Sequence, residues 1–229
     1  MEDVMDQLKD TMLEMIQERY PLEPTHIPED LRTIRLPLGF VTIGLDNWRA
    51  PKVRKVNVMR STVKLPRLEI LALEIYPESG YDIPLLAIDF SCMKKKSFIY
   101  MNFIPLFTDQ EYLQRYVERL RPLVCRHAIG PSAKPKPWMQ PYVTDCTLYA
   151  MADNSLLENA QACALDFLRT YLDLLDEAAP VIDGDYARRV AAASLNYCDQ
   201  LSEKDGSRKM LGRFIGMDRA NRIFREVIR

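Results

Sequence analysis

The chain has 229 residues, 48% of them hydrophobic and 28% charged, which suits a single domain over residues 1–229 with a sizeable core. Its formal net charge of −1 gives no electrostatic case for a nucleic acid partner, and no apolar run is long enough to span a bilayer. Cys92, Cys125, Cys146, Cys163 and Cys198 form no C-x-x-C pair, and His26 and His127 lack ligand-like neighbours, so a disulfide framework, a metal and an iron–sulfur centre are not expected.

The N-terminal segment is acidic and helix-periodic, with Met5, Leu8, Met12, Met15 and Ile16 on one stripe. It is unlike a secretory or organelle-targeting leader, so a cytoplasmic location is the expectation. Pro21, Pro24 and Pro28 end it. The pattern then predicts strands near Phe40–Leu45, Val53–Val63, Leu68–Tyr76, Leu85–Ser91 and Phe98–Ile104. The joins at 64–67, 77–82 and 92–96 are too short for parallel crossovers and predict an antiparallel meander.

Helices return after the strands. Thr108 with Glu111, and Ser155 with Glu158, read as capping boxes. The first opens a helix to about Leu120. The second opens a long one with Leu157, Ala160, Ala164, Phe167, Leu168, Tyr171 and Leu175 on one stripe. Helices near Asp185–Ser202 and Ser207–Ile228 finish the chain, divided around Lys204–Gly206. Strands flanked by helices predict an α/β fold, a three-layer α/β/α sandwich with a central antiparallel sheet. No exposed heptad seam appears, so a monomer is the default.

Motifs for dinucleotide, P-loop, nucleophile-elbow and zincin chemistry are all missing, and eight glycines leave little for a phosphate-cradling loop. Candidate chemistry therefore falls to polar residues set into apolar strands. Asp89 interrupts a run apolar on both faces, where desolvation raises a carboxyl into the range of a proton donor. A strand-end aspartate bonded to a turn is the plainer alternative. Alternation puts Glu74 on one face with Ile70 and Ala72, and Glu69 on the other, while Asn57 and Met59 share a face of their strand. Lys52, Arg54, Lys55 and Arg60 begin a basic stretch that reads either as a solvated face or as a docking patch for an acidic protein.

Ile27-Pro28-Glu29-Asp30-Leu31, Arg54-Lys55-Val56, Leu68-Glu69-Ile70-Leu71, Tyr76-Pro77, Ile83-Pro84-Leu85 with Asp89, and Trp138 stand in one ordered series. Tyr197-Cys198-Asp199-Gln200, Asp205, Ser207-Arg208, Leu211, Gly216 and Ala220 continue it. In order and spacing these residues resemble the ferredoxin-dependent bilin reductases, most closely the phycocyanobilin-forming type.

The resemblance implies the same three-layer fold, with biliverdin or a related bilin between the sheet and the C-terminal helices. It implies one-electron steps from a reduced [2Fe-2S] ferredoxin without bound metal, flavin or nicotinamide. Asp89 matches the family's sheet aspartate, the donor of the first proton, and Asp205 matches an acid linked to A-ring reduction. Asn57, Met59, Ala72, Asn102, Ser207 and Arg208 make up the implied substrate-contacting set, with a propionate role suiting the Arg208 fork. Lys52, Arg54, Lys55 and Arg60 become the implied ferredoxin-docking residues.

Three positions depart from the pattern. Met59 stands where a glutamate serves D-ring vinyl reduction, Ala72 where a histidine is usual, and Gly206 where a lysine is usual. Glu74 lies two residues from Ala72 on the same face, about 7 Å along the strand, and is the candidate replacement for the histidine. A bilin carrier without activity, and a reductase of another open-chain tetrapyrrole such as a chlorophyll catabolite, are the alternative readings.

Overall fold

The computed structural model describes residues 2–130 and 132–228. Helix α1 (Glu2–Gln17) leads through the short elements β1 (Glu23–Pro24), α2 (Glu29–Arg32) and β2 (Thr33–Arg35) to a run of long strands. These are β3 (Val41–Ala50), β4 (Val53–Val63), β5 (Leu68–Pro77), β6 (Leu85–Met93) and β7 (Lys96–Ile104). The five correspond to the expected strands, β3 being longer than the sequence pattern shows. Strand β8 (Leu148–Asp153), which that pattern did not reveal, pairs with β7. The sheet runs β1–β3–β4–β5–β6–β7–β8 with antiparallel pairing throughout, and β2 also pairs with β3.

After β7 the backbone is helical but irregular. It passes from α3 (Gln110–Tyr112) through a π turn and a 3-10 turn to α4 (Arg121–His127). Pro122 accounts for the break, because its ring removes a donor and crowds the carbonyl four residues earlier. Both capping boxes are displaced. Asp109, not Thr108, accepts the Tyr112 amide at 2.9 Å, and Asp153, not Ser155, accepts the Ser155 amide at 2.9 Å. Aspartate caps as well as serine or threonine, and each lies where the chain turns into the helix.

Helix α5 (Leu157–Glu177) buries the expected stripe against the sheet. Phe103 of β7 meets Phe167 and Tyr171 edge-on at 6.1 and 5.3 Å, and the Tyr171 hydroxyl donates to the Pro84 carbonyl at 2.9 Å. With α1, this helix covers one face, over Val56, Val58, Leu71, Leu73, Leu86, Ile88, Met101 and Phe103. Helices α6 (Gly184–Lys204), α7 (Gly206–Ile215) and α8 (Met217–Arg222), with a last π turn over Ile223–Ile228, lie on the other face. The result is the expected three layers. The C-terminal helix foreseen as one element is divided at Gly216, whose φ of 86° and ψ of 146° suit glycine almost alone.

Candidate active site

Antiparallel register carries one side chain from each of five strands into a single row. Met59 pairs with Ala72, Ala72 with Asp89, Asp89 with Tyr100 and Tyr100 with Tyr149. Alternation aims all five at the face covered by α6 and α7, where they line a cavity of about 400 Å³. Neighbouring rows add Asn57 and Glu74 on one side and Ile70, Ser91 and Phe98 on the other. Trp138, Met139, Tyr197, Leu201, Met210 and Leu211 wall it from above, while Lys136, Asp205, Gly206 and Ser207 close one end. The size suits a small organic ligand.

Asp89 is walled in by protein yet touches the cavity, and among the described residues its carboxyl has no hydrogen-bond partner. Burial raises it well above the usual carboxyl range, and Glu74 and Asp205 add like charge. Both effects favour the protonated, neutral form of the carboxyl.

Glu74 faces the same cavity, as strand alternation required. Burial raises its carboxyl, Tyr76 and Lys55 oppose the rise, and Asp205 adds to it. The Tyr76 hydroxyl donates to Glu74 Oε2 at 2.6 Å. Asp205 caps α7: Ser207 donates its amide to Oδ1 at 2.6 Å and its hydroxyl to the same oxygen. The Lys136 ammonium lies 3.8 Å from Oδ2. Asn57 is held by Asn47, which accepts from Asn57 Nδ2 at 2.6 Å and in turn donates to the Val227 carbonyl at 3.0 Å.

The structure thus gathers Asp89, Glu74, Asp205, Asn57, Met59, Ala72 and Ser207 around one space. It leaves out Asn102 and Arg208. Asn102 shares a row with Glu74 but is sealed: its amide donates to the Tyr142 carbonyl at 2.7 Å and its Oδ1 accepts from Thr147 at 2.8 Å. Arg208 lies outside the cavity lining, donating to the Glu203 carbonyl at 3.1 Å.

The four residues expected to dock ferredoxin do not form an exposed patch. Lys55 is 8% exposed and donates to the carbonyls of Val227 and Ile228. Lys52 donates to the carbonyls of Leu175, Asp176 and Ala178 at 2.6, 3.2 and 3.0 Å, closing the C-terminal end of α5. Arg54 lies over the Tyr76 ring, on the cavity side, and donates to Cys198 Sγ at 3.3 Å. Arg60 bridges Asp6 and Glu69 at 2.9 Å each on the opposite face. Strand alternation separates neighbours in a charge run, and burial and pairing then consume them.

Sequence reasoning missed Tyr100, Tyr149, Phe98 and Lys136. The first and third alternate on β7 with Asn102, and a row through Asp89 was enough to find Tyr100. Tyr149 was hidden with β8, and Lys136 lies in a proline-rich loop without periodicity. Among the described residues no group of three or more His, Cys, Asp or Glu is placed to hold a metal ion, and no helix is long and apolar enough to cross a membrane.

Known proteins resemble this chain in sequence and, where a structure is compared, in fold. The 15,16-dihydrobiliverdin:ferredoxin oxidoreductase of Gloeobacter violaceus is 32% identical over 160 residues, covering 67% of this chain and 65% of that protein. The phycoerythrobilin:ferredoxin oxidoreductase of Nostoc punctiforme is 25% identical over 233 residues, covering 91% of this chain and 86% of that one. A crystal structure of tomato phytochromobilin synthase in complex with biliverdin superposes with a TM-score of 0.89 at 18% identity, over 96% of this chain and 80% of that one, so the fold is the same. The family model of the ferredoxin-dependent bilin reductases matches residues 9–228, and the chain belongs to that family.

Proposed function

We propose that this protein reduces a linear tetrapyrrole, biliverdin or a related bilin, by one-electron steps from reduced ferredoxin, with the protons supplied by the cavity wall and no resident metal or organic cofactor. The observation that carries the reading is Asp89, a carboxyl set into the floor of an apolar cavity where burial raises it well above its ordinary range. Saturating one double bond takes two electrons, one from each of two ferredoxins, and two protons. Each added electron makes the conjugated system more basic, so a positioned acid can transfer a proton at that moment. Asp89 donates first, Glu74 is the second acid, and Asp205 serves the end of the cavity near Lys136. The aromatic rings of Tyr100, Tyr149 and Phe98, set edge to face at 71° and 76°, give a conjugated ligand an apolar wall to pack against.

Met59 and Ala72 face each other in register and offer no proton. Reduction is therefore assigned to the bonds that Asp89, Glu74 and Asp205 reach, and not to the D-ring vinyl group. The apolar Met59–Ala72 pair also favours the carrier reading, against which stand three carboxyls aimed at one ligand space. The test compares the wild-type protein with Asp89→Asn and Glu74→Gln. All three are expected to shift the biliverdin spectrum on binding, while Asp89→Asn slows reduction by about 10²–10⁴-fold. Turnover of Asp89→Asn at the full rate overturns the assignment of the acid.

A further inference from the structure

Lys55 is the feature that bilin chemistry at Asp89 leaves unused. It is a lysine closed off from solvent, and its ammonium lies 4.6 Å from the centroid of the Tyr76 ring. It does not wander in that position: the carbonyls of Val227 and Ile228, the last turn of the chain's C-terminal helical segment, both accept from it. Tyr76 in turn spends its hydroxyl on Glu74 Oε2 at 2.6 Å. A buried cation, an aromatic ring and a buried carboxyl thus stand in series, and the carboxyl lines the substrate cavity.

We propose that Lys55, held over Tyr76 by the C-terminal carbonyls, is the counter-charge that allows Glu74 to release its proton to the bound substrate and remain as a carboxylate inside the protein. The inference rests on the reductase reading and assigns Lys55 a positioning role within it. A buried carboxylate without a compensating charge is costly, and burial alone keeps such a group protonated. Asp89 has no hydrogen-bond donor of its own, and burial favours its protonated form until the reduced bilin takes that proton. Glu74 differs in having both a donor at 2.6 Å and a cation behind the donor. The proton balance follows directly: Glu74–COOH loses H⁺ to the reduced bilin, the Tyr76 hydroxyl holds the resulting carboxylate, and Lys55–NH3⁺ offsets its charge until solvent returns the proton.

The groups around Glu74 divide in sign. On β4 Lys55 is supportive and Arg54 lies beyond it; on β5 the Tyr76 hydroxyl donates. Asp89 on β6 and Asp205 before α7 oppose ionisation, and Tyr100 on β7 with Tyr197 and Cys198 on α6 stay neutral because burial raises all three. Burial lowers the Lys55 ammonium itself to about 8, with Glu74 resisting and Arg54 adding to the fall. The support is therefore present at neutral pH and is withdrawn as pH rises through about 8.

The experiment uses Lys55→Met, Lys55→Arg and Tyr76→Phe in the full-length protein, with biliverdin and reduced ferredoxin. Lys55→Met is expected to bind biliverdin normally and to slow reduction about three- to tenfold at neutral pH. Infrared difference spectra, with Glu74→Gln identifying the band, report the Glu74 carboxyl stretch. In Lys55→Met that band is expected to persist about one pH unit higher, equal to a tenfold change in proton affinity. Lys55→Arg restores the rate and removes its change near pH 8, since arginine stays charged. Tyr76→Phe, which deletes only a hydroxyl, moves the band in the same direction as Lys55→Met. An unmoved band together with an unchanged rate in Lys55→Met overturns the inference. A wild-type protein that fails to reduce biliverdin overturns the reductase reading instead, and the band in the bilin-free protein still decides the role of Lys55.

Discussion

Asp89 carries a conflict between stability and function that pH exposes. Burial raises its native-state carboxyl well above the value of about 4 in an unfolded chain. Between those two values the native state binds the proton more tightly, so its contribution to stability is full at low pH and is lost as pH rises through the native value. Asp89→Asn keeps the shape and removes the ionisation. The expected result is a higher melting temperature than wild-type at pH 8, with the difference shrinking toward pH of about 4. A melting difference independent of pH contradicts the buried-acid account. Lys52 is a residue whose charge serves the fold: three carbonyls at the end of α5 accept from it. Lys52→Met is expected to cost about 1 kcal/mol in denaturant unfolding, by exposing those carbonyls and the negative end of the helix.

At the scale of elements, Gly216 separates α7 from α8 and lets the C-terminal segment fold back over the sheet. A side chain there meets no neighbour within 4 Å, so the obstacle is the backbone alone. Gly216→Ala is expected to destabilise the protein by about 1–3 kcal/mol, measured by equilibrium unfolding, with no loss of packing volume. The strands and the α5 stripe were legible in the sequence because period-2 and period-3.6 burial leave a direct record in residue type. Strand β8 was not, because its Leu148-Tyr149-Ala150-Met151-Ala152 is short and rich in alanine, a poor strand former. The displaced caps at Asp109 and Asp153 belong to the same class: cap formers one or two residues apart look alike until the backbone chooses.

For the molecule as a whole, the site is a product of register. Glu74, Met59 and Ala72 were separately visible as residues on particular strand faces, and alternation placed them correctly, while Asp89 stood out only as a carboxyl in an apolar run. What no one-dimensional pattern supplied was the closing layer: Lys136 at Asp205, and the C-terminal carbonyls that draw Lys55 inward. The basic run from Lys52 to Arg60 misled for the same reason, since proximity in sequence said nothing of which side of the sheet each charge would serve. The proposed reductase must reduce the bilin its cavity holds. It is tested most directly by loading the protein with biliverdin under anaerobic conditions and adding reduced ferredoxin one electron equivalent at a time. Progressive loss of the biliverdin band through a transient radical, complete at two equivalents for each double bond reduced, is the expected result. A spectrum that shifts on binding and then stays unchanged through every addition contradicts it.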